Sequence, residues 1–137
     1  MKKIIFTLLF LSSLIYAKEN PLATLYEEIL TSIFHSQHIR VFADKEVKNL
    51  LKNSTSLEVV DRCDKSVTLL IGSFSNIVDA CKDKPIFSTS YRKFKKNPNA
   101  FGVYYWRKGR PQLKFKRIAL QRHSLSLPDN LQRYIYE

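Results

Sequence analysis

The chain has 137 residues, of which 23 are Lys or Arg and 12 are Asp or Glu, so its formal net charge is +11 at pH 7. This length is typical of one domain with its own hydrophobic core, and the sequence has none of the repeats or low-complexity tracts of fibrous and disordered proteins. It also has three glycines and no Gly-rich phosphate loop, which argues against the common nucleotide-binding enzymes.

The first 17 residues have the layout of a secretory signal peptide. Lys2 and Lys3 precede an apolar stretch at 4–14, and Ala17 places a small residue directly before the polar segment 18–21. The apolar stretch is shorter than the roughly 20 residues that a membrane-spanning helix needs. We therefore expect cleavage after Ala17, a periplasmic location and a single domain over residues 18–137. An uncleaved N-terminal membrane anchor is the alternative.

Short helices and strands alternate through the remaining sequence. Apolar spacing and capping residues predict helices from Pro21 to about residue 35, then at 46–51, 76–80 and 91–96, and after Asp129. Alternating or continuous apolar runs predict strands at 39–43, 57–60, 67–71 and 85–88, then at 100–106 and 112–118. The last two flank a Gly- and Pro-containing turn and should form a hairpin. This order predicts a small three-layer α/β domain with a mostly parallel sheet and a C-terminal antiparallel hairpin.

Cys63 and Cys81 are the two cysteines of the chain. In an exported protein an even pair indicates a disulfide, which would stabilise the domain by about 3 kcal/mol for a loop of this length. A zinc site lacks further ligands at suitable spacing, and a redox motif lacks the C-x-x-C spacing.

Three predicted loops should meet where the parallel strands end, which is where α/β domains usually bind ligands. These loops begin at Asp44, Gly72 and Ser88. Their hydroxyls and helix-start amides predict an anion-binding site, although helix capping explains the same residues. The predicted ligand-binding residues are Ser73, Ser75, Thr89 and Ser90.

The sequence predicts no catalytic residue, metal site or cofactor. His35 and His38 lie three residues apart without a third ligand, and His123 has no evident partner. Ser73 and Ser75 do not lie in a G-x-S-x-G motif. We therefore expect a binding protein and not an enzyme.

Most of the positive charge lies in one stretch. Residues 82–122 contain 13 Lys or Arg and one acid, Asp83, whereas residues 18–81 are nearly balanced. This asymmetry predicts an anionic partner, which after export is an acidic protein face, an anionic lipid or an envelope glycan instead of nucleic acid. A merely solubilising surface is the alternative. The predicted partner-binding residues are Arg92, Lys93, Lys95 and Lys96 before the hairpin, and Arg107, Lys108 and Arg110 in its turn.

Three aromatic residues precede the hairpin turn. Strand alternation places Tyr104 and Trp106 on one face and Tyr105 on the other. We expect all three to belong to the core. The alternative is one exposed aromatic beside a guanidinium, a composition found at interface anchors.

In the C-terminal third, a glycine-led strand, a charged turn and a second strand are followed by residues 118–131, in which Leu125, Leu127 and Leu131 have the spacing Leu-x-Leu-x-x-x-Leu. This ending resembles that of the YfiR-like periplasmic proteins, in which a hairpin is followed by a short helical turn and a closing Leu-x-Leu/Ile-x-x-x-Leu segment. Strands 67–71 and 85–88 are similar to the central strands of the family. The second hairpin strand departs from the family by its basic residues 114–117.

This resemblance covers about residues 39–135 and implies a function, a partner and an oligomeric state. It implies a periplasmic regulator that binds the outer domain of a membrane signalling protein, typically a diguanylate cyclase. It also implies a disulfide and a homodimer. Two other classes stay open, a small periplasmic solute-binding protein for an anionic ligand and an envelope-associated basic protein.

Overall fold

The computed structural model describes residues 21–35 and 38–136, so the predicted signal peptide lies outside the described residues. The helices are α1 (Pro21–Ile33), α2 (Lys45–Leu51), α3 (Tyr91–Lys96) and α4 (Arg117–Arg122). The strands are β1 (Ile39–Ala43), β2 (Leu57–Val60), β3 (Leu69–Gly72), β4 (Ile86–Ser88), β5 (Ala100–Arg107), β6 (Arg110–Lys116) and β7 (Ile135–Tyr136). No helix of the described segments is long and apolar enough to cross a membrane.

The seven strands form one sheet in the order β2-β1-β3-β4-β5-β6-β7. Strands β1 to β5 pair in parallel, β6 returns antiparallel to β5, and β7 pairs in parallel with β6. Parallel pairing requires crossover connections. Helix α2 lies in the connection from β1 to β2 and α3 in that from β4 to β5, whereas the connection from β2 to β3 has no helix and that from β3 to β4 has a 3-10 turn. The predicted fold class, a small α/β domain with a mostly parallel sheet and an antiparallel hairpin, is confirmed.

Two hydrophobic cores make the domain three-layered. On one face of the sheet, α1 and α2 pack with α4 over a core that includes Tyr26, Leu30 and Phe87. On the other face, α3 and a 3-10 turn at Asp79–Cys81 cover a smaller core that includes Leu70 and Phe94. Strand β3 is buried throughout, since cores lie on both of its sides.

The structure corrects the sequence prediction in three segments. In place of the helix predicted at 76–80, the structure has the 3-10 turn Asp79–Cys81. The two residues before it, Ile77 and Val78, are β-branched, which disfavours a helix, and they have no regular secondary structure. The second hairpin strand, predicted to continue to residue 118, ends at Lys116 and is followed by α4. The helix buries the adjacent residues Ala119 and Leu120 together and leaves Ile118 69% exposed, whereas a strand would point Ala119 and Leu120 to opposite faces. The predicted final helix is a 3-10 turn, Asp129–Tyr134, followed by β7. That strand pairs backbone groups of β6 that a helix would leave unpaired.

Cys63 and Cys81 form the predicted disulfide, and their Cα atoms are 5.9 Å apart. The bridge joins the loop after β2 to the 3-10 turn before β4, and Cys81 is fully buried in the smaller core. A disulfide persists in oxidising compartments, so its presence agrees with export from the cytosol.

The bridge should be the main stabiliser of the smaller core. We expect the double variant Cys63→Ser with Cys81→Ser to lose about 3 kcal/mol of unfolding free energy, because the unfolded chain is then no longer constrained. Urea denaturation of the variant and of the oxidised and reduced wild type checks this. Equal stability of the oxidised and reduced protein would contradict it.

A glycine joins the hairpin to the parallel sheet. Gly102 on β5 lies directly between Phe87 on β4 and Phe115 on β6. Both Phe side chains are fully buried, and their ring centroids are 6.3 Å apart. A Cβ atom at Gly102 would lie 2.8 Å from Phe87 ring atoms and 3.0 Å from Phe115 Cδ1. Only glycine leaves room for both rings to close over the strand.

We expect Gly102→Ala to lower the unfolding free energy by about 1–3 kcal/mol, the usual cost of overpacking a dense core. If the cause is contact with the Phe87 ring, the double variant with Phe87→Leu should lose less than the sum of the two single losses. Additive losses in urea denaturation would contradict this origin.

Candidate functional site

The hairpin projects beyond the parallel part of the sheet. The pairing between β4 and β5 ends at Val103, whereas β5 continues for four residues to Arg107, paired there with β6. Four extended residues span about 13 Å. The turn consists of Lys108 and Gly109, both at positive φ (52° and 75°), so it is tighter than the five-residue turn predicted from the sequence.

The two faces of the hairpin differ in chemistry. Tyr104 packs edge-on against Tyr26 of α1, with ring centroids 6.4 Å apart, and Trp106 lies two residues further along the same face. Trp106 is 62% exposed, so the prediction that all three aromatics belong to the core is wrong for this residue. Tyr105 lies on the opposite face and stacks on Tyr91 of α3, with centroids 4.9 Å apart. The face with Tyr104 and Trp106 therefore adjoins α1, and the face with Tyr105 carries α3.

Helix α3 is fixed to the hairpin by a partly buried lysine on β6. Lys116 Nζ donates to the carbonyl oxygens of Phe94 (2.6 Å) and Asn97 (2.8 Å) at the end of the helix. Burial, and then the nearby charge of Arg122, lower the pKa of Lys116. The basic helix α3 therefore packs beside the hairpin, as a joint basic surface of the two elements requires.

The basic residues of α3 and of the hairpin tip lie on one side of the molecule. Arg107 lies two residues after Tyr105 and therefore on the same face, beside α3, and Arg110 is its directly paired neighbour on β6. We call the following six exposed residues the basic patch: Arg92, Lys95, Lys96, Arg107, Lys108 and Arg110. Lys93, the seventh predicted partner-binding residue, is half-buried, and its Nζ lies 3.5 Å from Ser75 Oγ, so it is not counted in the patch and its partner contact stays a prediction.

Lys114 extends the basic patch and was not singled out from the sequence. Its Nζ lies 4.9 Å from the ring centroid of Tyr91 and 4.7 Å from that of Tyr136. The signal was present in the alternation of β6, because Lys114 must face opposite to the buried Phe115. The contact with Tyr136 was beyond sequence analysis, since it depends on the unforeseen strand β7.

The charges of the basic patch are not neutralised within the described structure. None of its six side chains forms a salt bridge with a residue of 21–35 or 38–136, whereas His38, Arg40 and Lys48 each lie within ion-pair distance of a carboxylate. Arg107 and Arg110 stand directly opposite each other on paired strands. Like charges in that position destabilise a hairpin, so the fold does not explain this pair.

The strand-end loops meet as expected, but through internal hydrogen bonds. Asp44 Oδ1 accepts from the amide of Val47 (2.9 Å) and caps α2, while Oδ2 accepts from the amide of Ser73 (2.8 Å). A side chain at Gly72 would overlap this carboxylate. Asp44 therefore ties the loop after β3 to the start of α2.

Two of the four hydroxyls predicted to bind an anion, those of Ser75 and Ser90, form hydrogen bonds within the fold. Ser90 Oγ accepts from the amide of Lys93 (3.3 Å), and Ser88 Oγ donates to the carbonyl of Ser90 (2.9 Å). The void between the loops after β3 and β4 has a volume of about 20 Å³, close to the space of one water molecule. Anion binding by Ser73, Ser75 and Ser90 stays a prediction, and Thr89 lies in a different, larger cavity.

That larger cavity is a groove of about 620 Å³ on the aromatic face of the hairpin. Its apolar and aromatic walls come from α1, α2 and β5, and include Leu22, Tyr26, Leu50, Tyr104 and Trp106. Glu46 and Thr89 contribute polar groups. The groove lies at the carboxyl ends of β1, β4 and β5, which is the usual position of a ligand site in an open α/β sheet. We call it the aromatic groove.

The histidines take structural or exposed positions. His123 Nε2 lies 3.0 Å from Asn99 Oδ1, a partner not foreseen from the sequence. Partial burial, and then the charge of Arg122, lower the pKa of His123. His35 and His38 are exposed, and His38 lies 3.4 Å from Glu58. Within the described residues, no group of three His, Cys, Asp or Glu side chains is placed to hold a metal ion.

No family model matches the chain, and no curated protein matches its sequence. A crystal structure of a conserved domain protein from Vibrio cholerae O1 biovar eltor str. N16961 has a similar fold, with a TM-score of 0.58 and 10% sequence identity over 82% of this chain. The match spans 58% of that protein's chain. At this identity the similarity concerns the fold alone, and it agrees with the α/β architecture described above.

The Asp44 carboxylate should be critical for the strand-end loops. We expect Asp44→Ala to cost about 2 kcal/mol of unfolding free energy, because the cap of α2 and the partner of the Ser73 amide are lost together. Asp44→Asn keeps an oxygen acceptor and should cost less. Urea denaturation of the two variants checks the order, and an equal loss in both would contradict the two-bond role.

Proposed function

We propose that this protein is an exported, periplasmic regulatory binding protein that acts on the outer domain of a membrane signalling protein. The observation that carries the proposal is the basic patch on the projecting hairpin. Its exposed cations are gathered by the docking of α3 on β5 and β6, and they have no acidic partner in residues 21–35 and 38–136. Such a surface fits an acidic face on a partner protein.

The geometry favours a protein partner reached by a rigid contact. The hairpin is held on one face by Tyr104 against Tyr26 and on the other by Tyr105 against Tyr91. The arginines are therefore presented from a fixed strand pair and not from a mobile tail. Arginine on a rigid support suits bidentate pairing with carboxylates at low entropic cost.

The resemblance to YfiR-like proteins supports a partner such as a diguanylate cyclase with a periplasmic domain. The disulfide supports export, because it needs an oxidising compartment. Regulation then consists of occupying the outer domain of the partner and so shifting its equilibrium between active and inactive states. A homodimer of the present chain remains a further prediction from the same resemblance.

The test is the double variant Arg107→Glu with Arg110→Glu, in the mature protein. Its binding is measured to the membrane protein captured by crosslinking the tagged protein in its own cell envelope. We expect binding at low salt to weaken at least tenfold, mainly through a slower association rate, and the difference to shrink at high salt as screening increases.

The matched control is Lys52→Glu with Lys65→Glu, which changes the net charge equally at two exposed positions outside the patch. It should bind nearly as well as the wild type. Equal weakening in both double variants would mean that only net charge matters. Unchanged binding in the hairpin variant, with an intact circular dichroism spectrum, would remove the hairpin from the interface.

A further inference from the structure

The aromatic groove is left unexplained by the proposed partner contact, because it lies on the opposite face of the hairpin from the basic patch. Its volume of about 620 Å³ is within the range of small-molecule sites. Its rim carries Trp106, whose 62% exposure is unusual for a large aromatic side chain in a soluble domain. A groove of this size with an exposed aromatic rim indicates a binding surface.

The local charge in the groove is opposite to that of the whole protein. The chain carries a net charge of +11, yet no Lys or Arg is among the described residues that line the groove, and Glu46 is. Asp44 lies two residues before Glu46, at the cap of α2. Burial first, and then the charge of Asp44, the neighbouring Tyr104 and the charge of Glu46, raise the pKa of the Tyr26 phenol. The carboxylates of Asp44 and Glu46 therefore both lie near the phenol of Tyr26.

The lining combines the two groups that recognise organic cations. The faces of Trp and Tyr rings attract an ammonium group through their quadrupole, and quaternary ammonium ligands are commonly held by several such rings. The side chain of Tyr104 is partly exposed, and that of Trp106 is largely exposed. The buried Tyr26, which packs against Tyr104, also lines the groove. Glu46 adds a full negative charge at the wall formed by α2.

We propose that the aromatic groove binds an organic ammonium cation, with Trp106 and Tyr104 contacting its alkyl groups and Glu46 pairing with its charge. An anionic ligand fits this groove poorly, because it would face the carboxylate of Glu46 and the described lining residues include no cation. The proposal is independent of the partner contact, which uses the other face of the hairpin. The same cation chemistry has two sources, a free alkylammonium solute and a Lys side chain of a protein.

Trp106 is the single tryptophan of the chain, so its fluorescence reports on the groove directly. The mature protein is titrated with choline and, separately, with 3,3-dimethyl-1-butanol, the neutral isostere of choline, at constant ionic strength. The tripeptide acetyl-Gly-Lys-Gly-amide represents a protein side chain. Each titration is repeated by calorimetry. Calorimetry also measures ligand binding to the variant Trp106→Leu, which has no tryptophan fluorescence.

We expect saturable binding of choline, with at least about fivefold weaker binding of the neutral isostere. Glu46→Gln should weaken choline binding by about threefold to tenfold, and Trp106→Leu by a similar factor. Glu28→Gln is the matched control, since it removes one exposed carboxylate from α1 outside the groove, and it should bind as the wild type does.

Binding of the tripeptide alone, with the same dependence on Glu46, would assign the groove to a partner's lysine and so support the cation chemistry. Three outcomes would overturn the proposal. They are the absence of saturable binding of both cationic probes, equal affinity for choline and its neutral isostere, and equal binding by wild type and a folded Glu46→Gln variant.

Discussion

The close packing of two phenylalanines over Gly102 is the constraint on which the arrangement of the surfaces depends. Phe87, Gly102 and Phe115 lie in register across β4, β5 and β6, where the sheet changes from parallel to antiparallel pairing. The Phe87 ring also contacts Tyr26 of α1, with centroids 5.7 Å apart. This row therefore fixes the angle at which the hairpin leaves the sheet and the position of α1 beside it.

Lys116 has a comparable role on the opposite face. A lysine at the end of a strand usually extends into solvent, but the Nζ of Lys116 donates to two carbonyl groups at the end of α3 and lies over the Phe94 ring. The lowered pKa reflects the cost of removing this ammonium group from water. Because α3 is anchored in this way, its basic side chains stay beside the arginines of the hairpin tip.

The two-stranded hairpin thus separates the basic patch on one face from the aromatic groove, which has Glu46 and no described lysine or arginine in its lining, on the other. One face carries Arg107 and Arg110 with α3, and the other carries Trp106 over the aromatic groove with Glu46 across from it. Side-chain alternation along a strand is sufficient to create this separation, because neighbouring residues point to opposite faces. The proposed partner and the proposed cation would therefore contact different side chains of the hairpin.

Local patterns in the sequence determined the order of most elements and the disulfide. Strands β1 and β2, helix α3 and the Asp44 cap follow from short-range apolar periodicity and capping chemistry, which act within a few residues. The pairing of Cys63 with Cys81 followed from their number, since two cysteines allow one bridge. The basic residues were also visible in the sequence, because their charge does not depend on the fold.

Long-range packing decided the rest. Strand β7 exists because β6 offers unpaired backbone groups to the chain end, and nothing within residues 135–136 specifies that partner. The aromatic groove combines α1, α2 and β5, which are far apart in the sequence, so periodicity within any one of them gives no sign of it. The sequence by itself supplied the elements and the charges. The tertiary structure decided which of them face each other, because burial and register arise from contacts between distant segments.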